Sequence, residues 1–185
     1  MDKIYWNQFY KDEKGILESS DFSKFITDYF KGEKFFILDA GCGNGRDSYY
    51  LSEKHNVVGC DLSSRPKNKK HCLFLEEDMV LVDKEPYDLI YSRFSFHSIS
   101  DENQINFLKS IKKETILCIE TRSIKGKDTY RLFGDTHYRN LTDINYLHSL
   151  LKEYNFEILY EYEGDNIAIF QNENPICIRI ICKKL

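Results

Sequence analysis

The chain has 185 residues, a formal charge of −4 and 42% hydrophobic residues, which suits one soluble domain with a sizeable core but not comfortably two. A pI of about 5.8 offers no footprint for a polyanion, so nucleic acid is excluded as a first partner. No apolar run approaches the roughly 18 residues of a membrane span, and MDKIYWNQFYKDEKG lacks the apolar core and cleavage site of a secretion signal. These readings place the protein in the cytoplasm. The six cysteines include no CxxC pair. Most lie in apolar, strand-like runs, so they read as reduced, buried thiols and leave no zinc site of the usual spacing.

In chain order, residues 4–10 and 20–30 predict two short amphipathic helices, the second with Phe22, Phe25, Ile26, Tyr29 and Phe30 at helical spacing. Residues 35–40 form a continuous apolar run ending in an acid, the pattern of a parallel strand buried on both faces. A glycine-rich turn at 41–45 leads into a helix, and 56–61 is a second strand, again ending in an acid. The stretch SSRPKNKKH is too polar and broken for a long helix. A third strand at 71–75 closes with Glu76, Glu77 and Asp78, and a fourth covers 87–92. Ser100-Asp101 caps a helix over 101–112 with Ile105, Leu108 and Ile111 on one face. Residues 115–120 are a fifth strand. The segment 121–140 has no period, carries an excess of Arg and Lys, and is long enough to read as a binding loop. Thr142-Asp143 caps a helix to 154, with Ile144, Leu147, Leu150 and Leu151 inward. Strands at 156–163 and 175–183 close the chain as a hairpin. The order predicts a doubly wound, Rossmann-like α/β sheet of seven strands, mostly parallel with a reversed last strand.

Gly41, Gly43 and Gly45 sit between a strand and a helix, where glycine allows a tight turn and close backbone approach to a ligand. Asp39 precedes the loop. Asp61 ends the second strand about 20 residues later, placed for ribose hydroxyls, and Glu77-Asp78 ends the third, placed for an adenine amine. The dinucleotide fingerprint GxGxxG fails at Arg46, which disfavours a nicotinamide or flavin oxidoreductase. A non-catalytic cofactor-binding protein or partner subunit is the other alternative.

Taken together, ILDAGCGNGRDS, VVGCDLS, LEEDM and YDLIYSRFSFHSI resemble motifs I to IV of the class I S-adenosylmethionine-dependent methyltransferases. GNGRDS is similar to the small-molecule branch containing tellurite-resistance and thiopurine-type enzymes. The resemblance implies S-adenosylmethionine as cofactor, with Asp39, Gly41, Gly43, Asn44, Gly45 and Arg46 around its methionine part. It implies Asp61, Leu62 and Ser63 at the ribose, Glu77, Asp78 and Met79 at adenine, and Ser92 and Arg93 at the end of the fourth strand. It also implies a single domain over 1–185: an N-terminal lid at 1–32 that brings Tyr5, Trp6 and Tyr10 to the cofactor, a cofactor-binding half at 33–120, and an acceptor side at 121–185. No N-P-P-Y type motif stands at the fourth strand, which argues against a DNA amine as acceptor.

A small-molecule acceptor follows, and an oxygen or amine nucleophile calls for a base. His55 and His148 on helices and His71 at a strand edge read as surface residues. His97, after the fourth strand, and His137, in the long loop, are the candidate bases. Tyr138 and Arg139 stand beside His137, and Arg139 suits a phosphate or carboxylate on the acceptor. The stretch from GDTHYRNLT to the end is similar to methyltransferases associated with bacterial capsule and surface-polysaccharide synthesis, some of which make O-methyl phosphoramidate or methylated sugars.

Overall fold

The computed structural model describes residues 6, 18–63, 66–126, 139–169 and 173–185. They form a seven-stranded sheet: β1 (Phe36–Ala40), β2 (Asn56–Asp61), β3 (Cys72–Glu76), β4 (Leu89–Arg93), β5 (Ile116–Arg122), β6 (Phe156–Gly164) and β7 (Cys177–Lys184). The order across the sheet is β3-β2-β1-β4-β5-β7-β6. β1 to β5 are mutually parallel, and β7 runs antiparallel to both its neighbours. The strand order reverses between β1 and β4, so the crevice outside their carboxyl ends is where an open α/β sheet binds ligands.

Among the described residues the bounded α-helices are α1 (Asp21–Tyr29), α2 (Arg46–Leu51), α3 (Asp101–Lys109) and α4 (Ile144–Glu153). Ser20, Ser100 and Asp143 cap α1, α3 and α4 through their side-chain oxygens, each satisfying one of the amides a helix start leaves unpaired. No helix forms between β3 and β4, in agreement with the short polar connection read there.

Apolar residues of β1 and β4 alternate between two core layers. Leu38 and Ile90 face the layer of α3 and α4, with Phe107, Leu108, Leu147 and Leu151. Ile37, Leu89 and Tyr91 face the layer of α1 and α2, with Phe22, Ile26 and Leu51. Such two-sided burial explains the unbroken apolar runs. On α3, Phe107 and Gln104 point inward and Ile105 is only half-buried, a rotation of the face expected from sequence. α1 packs against the sheet through Phe22 and Ile26, so this part of the N-terminal region is core rather than cover. His55 corrects another expectation: it is buried, and its Nδ1 accepts the Phe35 N–H at 3.2 Å. Among the described residues, no helix is long and apolar enough to cross a membrane.

Candidate functional site

The carboxyl ends of β1 and β4 are tied together before any ligand is considered. Ser95 Oγ donates to the Ala40 carbonyl at 2.6 Å and lies 2.8 Å from Ser92 Oγ. Gly41 passes so close that a Cβ there would stand 2.3 Å from Ser95 Cβ, and its φ is +82°. Both facts demand glycine. The Gly41 and Cys42 amides donate to the Cys60 carbonyl at 2.8 and 3.0 Å, which moors the loop to β2.

Asp61 holds the other side of the loop. Its Oδ2 accepts the Gly43 N–H at 2.9 Å, and its Oδ1 accepts the Ser63 N–H and Oγ–H at 2.7 and 2.6 Å. A carboxylate has about four lone-pair sites, so Oδ2 retains one on a half-buried group beside the loop. This acceptor fits a ribose hydroxyl, which donates to it. Asp78 is half-buried and accepts the Val80 N–H at 2.8 Å, Met79 is buried, and Glu77 is exposed. That loop is clamped from within by Lys84, whose buried Nζ donates to the carbonyls of Val80 and Val82 at 3.0 and 3.1 Å. Burial lowers the Lys84 pKa. Leu62 is half-buried next to Asp61 and Asn44 sits in the loop, its Oδ1 accepting the Arg46 N–H at 3.3 Å.

Asp39 lies beneath the loop rather than in the crevice. It is buried, accepts the Ser48 hydroxyl at 2.5 Å, and is pushed up to about 8 by burial, with Asp47 and Asp61 adding to the effect. Sequence reasoning missed Asp47. Its buried carboxylate accepts the Ser20 N–H and Oγ–H, both at 2.7 Å, the Tyr91 hydroxyl at 2.8 Å and the Ser23 hydroxyl at 3.3 Å. One side chain thus joins the starts of α1 and α2 to β4. An acid in the first turn of a helix gives only a weak hint of this.

Across the switch point the charge changes sign. Glu120 on β5 is fully buried between two arginines, with Arg93 Nε at 2.9 Å and Arg179 Nε at 2.7 Å. Burial raises the Glu120 pKa while both guanidiniums pull it back down. Arg122 Nη2 donates to Glu173 at 2.8 Å. Phe94 follows β4 with φ +56°, an uncommon conformation for a non-glycine residue. Its ring lies 4.4 Å from the Arg93 guanidinium and 5.4 Å from that of Arg122.

His97 is buried in a short 3₁₀ turn, Phe96–Ser98. Its Nδ1 accepts the Arg122 backbone N–H at 3.2 Å and lies 3.1 Å from Thr121 Oγ1. A backbone N–H can only donate, so this network assigns the ring proton to Nε2. Arg139 is half-buried where the acceptor-side segment returns, and Asn140 N–H donates to the His97 carbonyl at 2.7 Å. Tyr5, Tyr10, His137 and Tyr138 lie outside the described residues, and Trp6 is half-buried. Arg46 lines a groove with Tyr49, Tyr50 and Lys69.

A doubly wound sheet with one reversed strand, a glycine loop at its switch point and acids ending β1, β2 and β3 defines the Rossmann-like methyltransferase class. The methyltransferase-domain family matches residues 19–161. The chain belongs to this family, and with its four motifs it falls among the class I S-adenosylmethionine-dependent methyltransferases. A probable S-adenosylmethionine-dependent methyltransferase of Haemophilus influenzae, TehB, is 32% identical over 94 residues, covering 43% of this chain and 32% of that protein. The chain therefore spans about a third of that relative's length. Among solved structures, an S-adenosylmethionine-dependent methyltransferase from Anabaena variabilis superposes with a TM-score of 0.77 at 16% identity, over 99% of this chain and 93% of the other. A Burkholderia thailandensis N1-methyltransferase, solved with 1,6-didemethyltoxoflavin and S-adenosylhomocysteine, gives 0.70 at 16%, over 98% and 87%.

Proposed function

We propose that this chain transfers a methyl group to a small anionic or sugar-linked acceptor, at an oxygen, such as a phosphoramidate or sugar precursor of a bacterial surface polysaccharide. The observation that carries this reading is the division of charge along the crevice: Asp61 and Asp78 on one side of the switch point, Arg93, Arg122 and Arg179 on the other. When bound, S-adenosylmethionine supplies an activated sulfonium methyl.

Asp61, fixed by the Gly43 amide and by Ser63, orients the donor. Gly41 lets the loop backbone lie against Ser95, which holds the loop close to the end of β4. The arginine side suits a negative group, since Arg93, Arg122 and Arg179 gather guanidinium donors there around Glu120 and Glu173. The Burkholderia neighbour's small-molecule ligand supports an acceptor of similar scale.

A nucleophilic hydroxyl needs its proton removed. His97 uses its Nδ1 lone pair on Arg122, so it acts as a donor that positions the acceptor or the returning segment. His137 is the first choice for the base, with Tyr138 beside it, and Arg139 pairs the acceptor's anionic group. The test is turnover against a panel of phosphorylated and sugar metabolites. His137→Ala and Arg139→Ala should each depress turnover by roughly 10²-fold or more while leaving S-adenosylhomocysteine affinity nearly intact. Near-wild-type rates in both would remove the long loop from catalysis, and no turnover of any acceptor by the wild type would favour a non-catalytic binding role.

A further inference from the structure

Outside the crevice, the outer side of α2 carries a groove of about 380 Å³. Arg46, Lys69, Lys70 and His71 line it together with Tyr49 and Tyr50, and Glu53 is the one acid in the lining. The chain as a whole is acidic, at −4, so this concentration of cations runs against the overall balance.

The basic wall is a built one. Tyr49 Oη donates to the Lys67 carbonyl at 2.7 Å, and Phe74 N–H donates to Asn68 Oδ1 at 2.9 Å. Lys69 and Cys72 exchange both backbone hydrogen bonds, at 2.8 and 3.2 Å. His71 Nδ1 lies 3.1 Å from Asn56 Oδ1. Four anchors thus hold a segment that carries Lys67, Lys69 and Lys70. Lys69 Nζ sits 3.8 Å over the Tyr49 ring, and Tyr49 in turn packs edge-on against Phe74 at 5.3 Å. Yet among the described residues no carboxylate lies within ion-pair distance of Arg46, Lys67, Lys69 or Lys70. A fixed cluster of like charges repels itself unless something neutralises it.

We propose that this groove is a second ligand site, for a phosphate ester with a planar ring: a nucleotide or similarly sized aromatic phosphate. Arg46, Lys69 and Lys70 supply charge-assisted donors to phosphate oxygens. Tyr50, and Tyr49 with Lys69 over its ring, bring the aromatic surface with a polar tip against which a ring packs. The size agrees, since small-molecule sites enclose about 300–1,000 Å³. A polyanion would need a longer basic track, which the acidic remainder of the surface does not offer.

The experiment titrates AMP, inorganic phosphate and adenosine into protein saturated with S-adenosylhomocysteine, which keeps the probes out of the crevice; heat and chemical-shift changes report binding. AMP should bind, phosphate more weakly, and adenosine least. The exposed double variant Lys69→Glu/Lys70→Glu should weaken AMP at least about tenfold, with an unchanged thermal melt. Lys31→Glu/Lys113→Glu makes the same change in net charge elsewhere and should leave AMP affinity as it was. Loss of affinity in both variants would reduce the effect to overall charge and overturn the site. So would adenosine binding equal to AMP, or no AMP binding at millimolar concentration.

Discussion

Asp61 allows a sharp test, because its two oxygens have distinct duties. Oδ1 takes two donors from Ser63 and Oδ2 takes the Gly43 amide. Asp61→Ala removes all three bonds as well as the lone pair offered to a ribose hydroxyl. A hydrogen bond to a charged group contributes about 1.5–3 kcal/mol, so S-adenosylhomocysteine affinity should fall by roughly ten- to a hundredfold. Asp61→Asn is the more telling change. An amide presents one acceptor and one donor edge, whereas all three of these partners arrive as donors. Whichever way the amide turns, an N–H meets an N–H, at Gly43 or at Ser63. Asn should therefore bind nearly as poorly as Ala despite its shape, and should lose about 1–2 kcal/mol of stability from the partly exposed bonds. Calorimetry and denaturant titration on the three proteins measure both quantities. Wild-type affinity in a folded Asp61→Asn protein would refute the reasoning, since neither the charge nor the loop contact would then matter.

Replacing Asp47 by Ala strands the Ser20 amide in the core and leaves the Ser20 and Tyr91 hydroxyls only each other, at 3.2 Å; an unsatisfied buried group costs about 1–3 kcal/mol, and urea unfolding should show a loss of about 2–4 kcal/mol. Glu120→Gln leaves Arg93 and Arg179 buried with no full counter-charge, so it should cost about 3–5 kcal/mol on the same assay, less if water enters. For Asp39 the pKa is raised in the fold, to about 8 from 3.8, so its contribution is complete below pH 3.8 and is lost as pH rises through 8. Stability of the wild type relative to Asp39→Asn should accordingly fall across that window, by on the order of a few kcal/mol, and a flat difference between pH 4 and 9, roughly, would show that Asp39 is ionised throughout.

The central strands were legible in the residues because burial on both faces leaves unbroken apolar runs such as FILDA and LIYSR, whereas the half-exposed β3 and β6 were read from the turn residues that bound them. The glycine loop and Asp61 were legible because turn and acid are spaced by one crossover. What stayed hidden depends on partners far apart in sequence. Asp47 meets Ser20 and Tyr91 across separations of 27 and 44 residues, and Glu120 meets Arg179 across 59. No local period announces such pairs. Gly45 illustrates a second limit: spacing put a glycine there, but only the fold shows that Phe74 and Pro66 leave no room for a Cβ. His55 reads as a surface residue on a helix, and only the fold reveals the Phe35 amide that it receives.

The place of β7 has a consequence for how the chain reaches this state. β7 is made after β6 but lies inside it, between β5 and β6. During synthesis, β1 to β5 can assemble first, and β5 then presents an open, apolar edge while β7 is still inside the ribosome. That edge is a template for wrong pairing until it is covered. Glu120 meanwhile holds Arg93 alone, since Arg179 arrives only with β7. The same strand that seals the sheet thus also completes the charge balance beneath Phe94, and the long-range pairing it requires makes its docking the slow event. A nascent chain stalled before residue 177 would expose the β5 edge to any strand that passed.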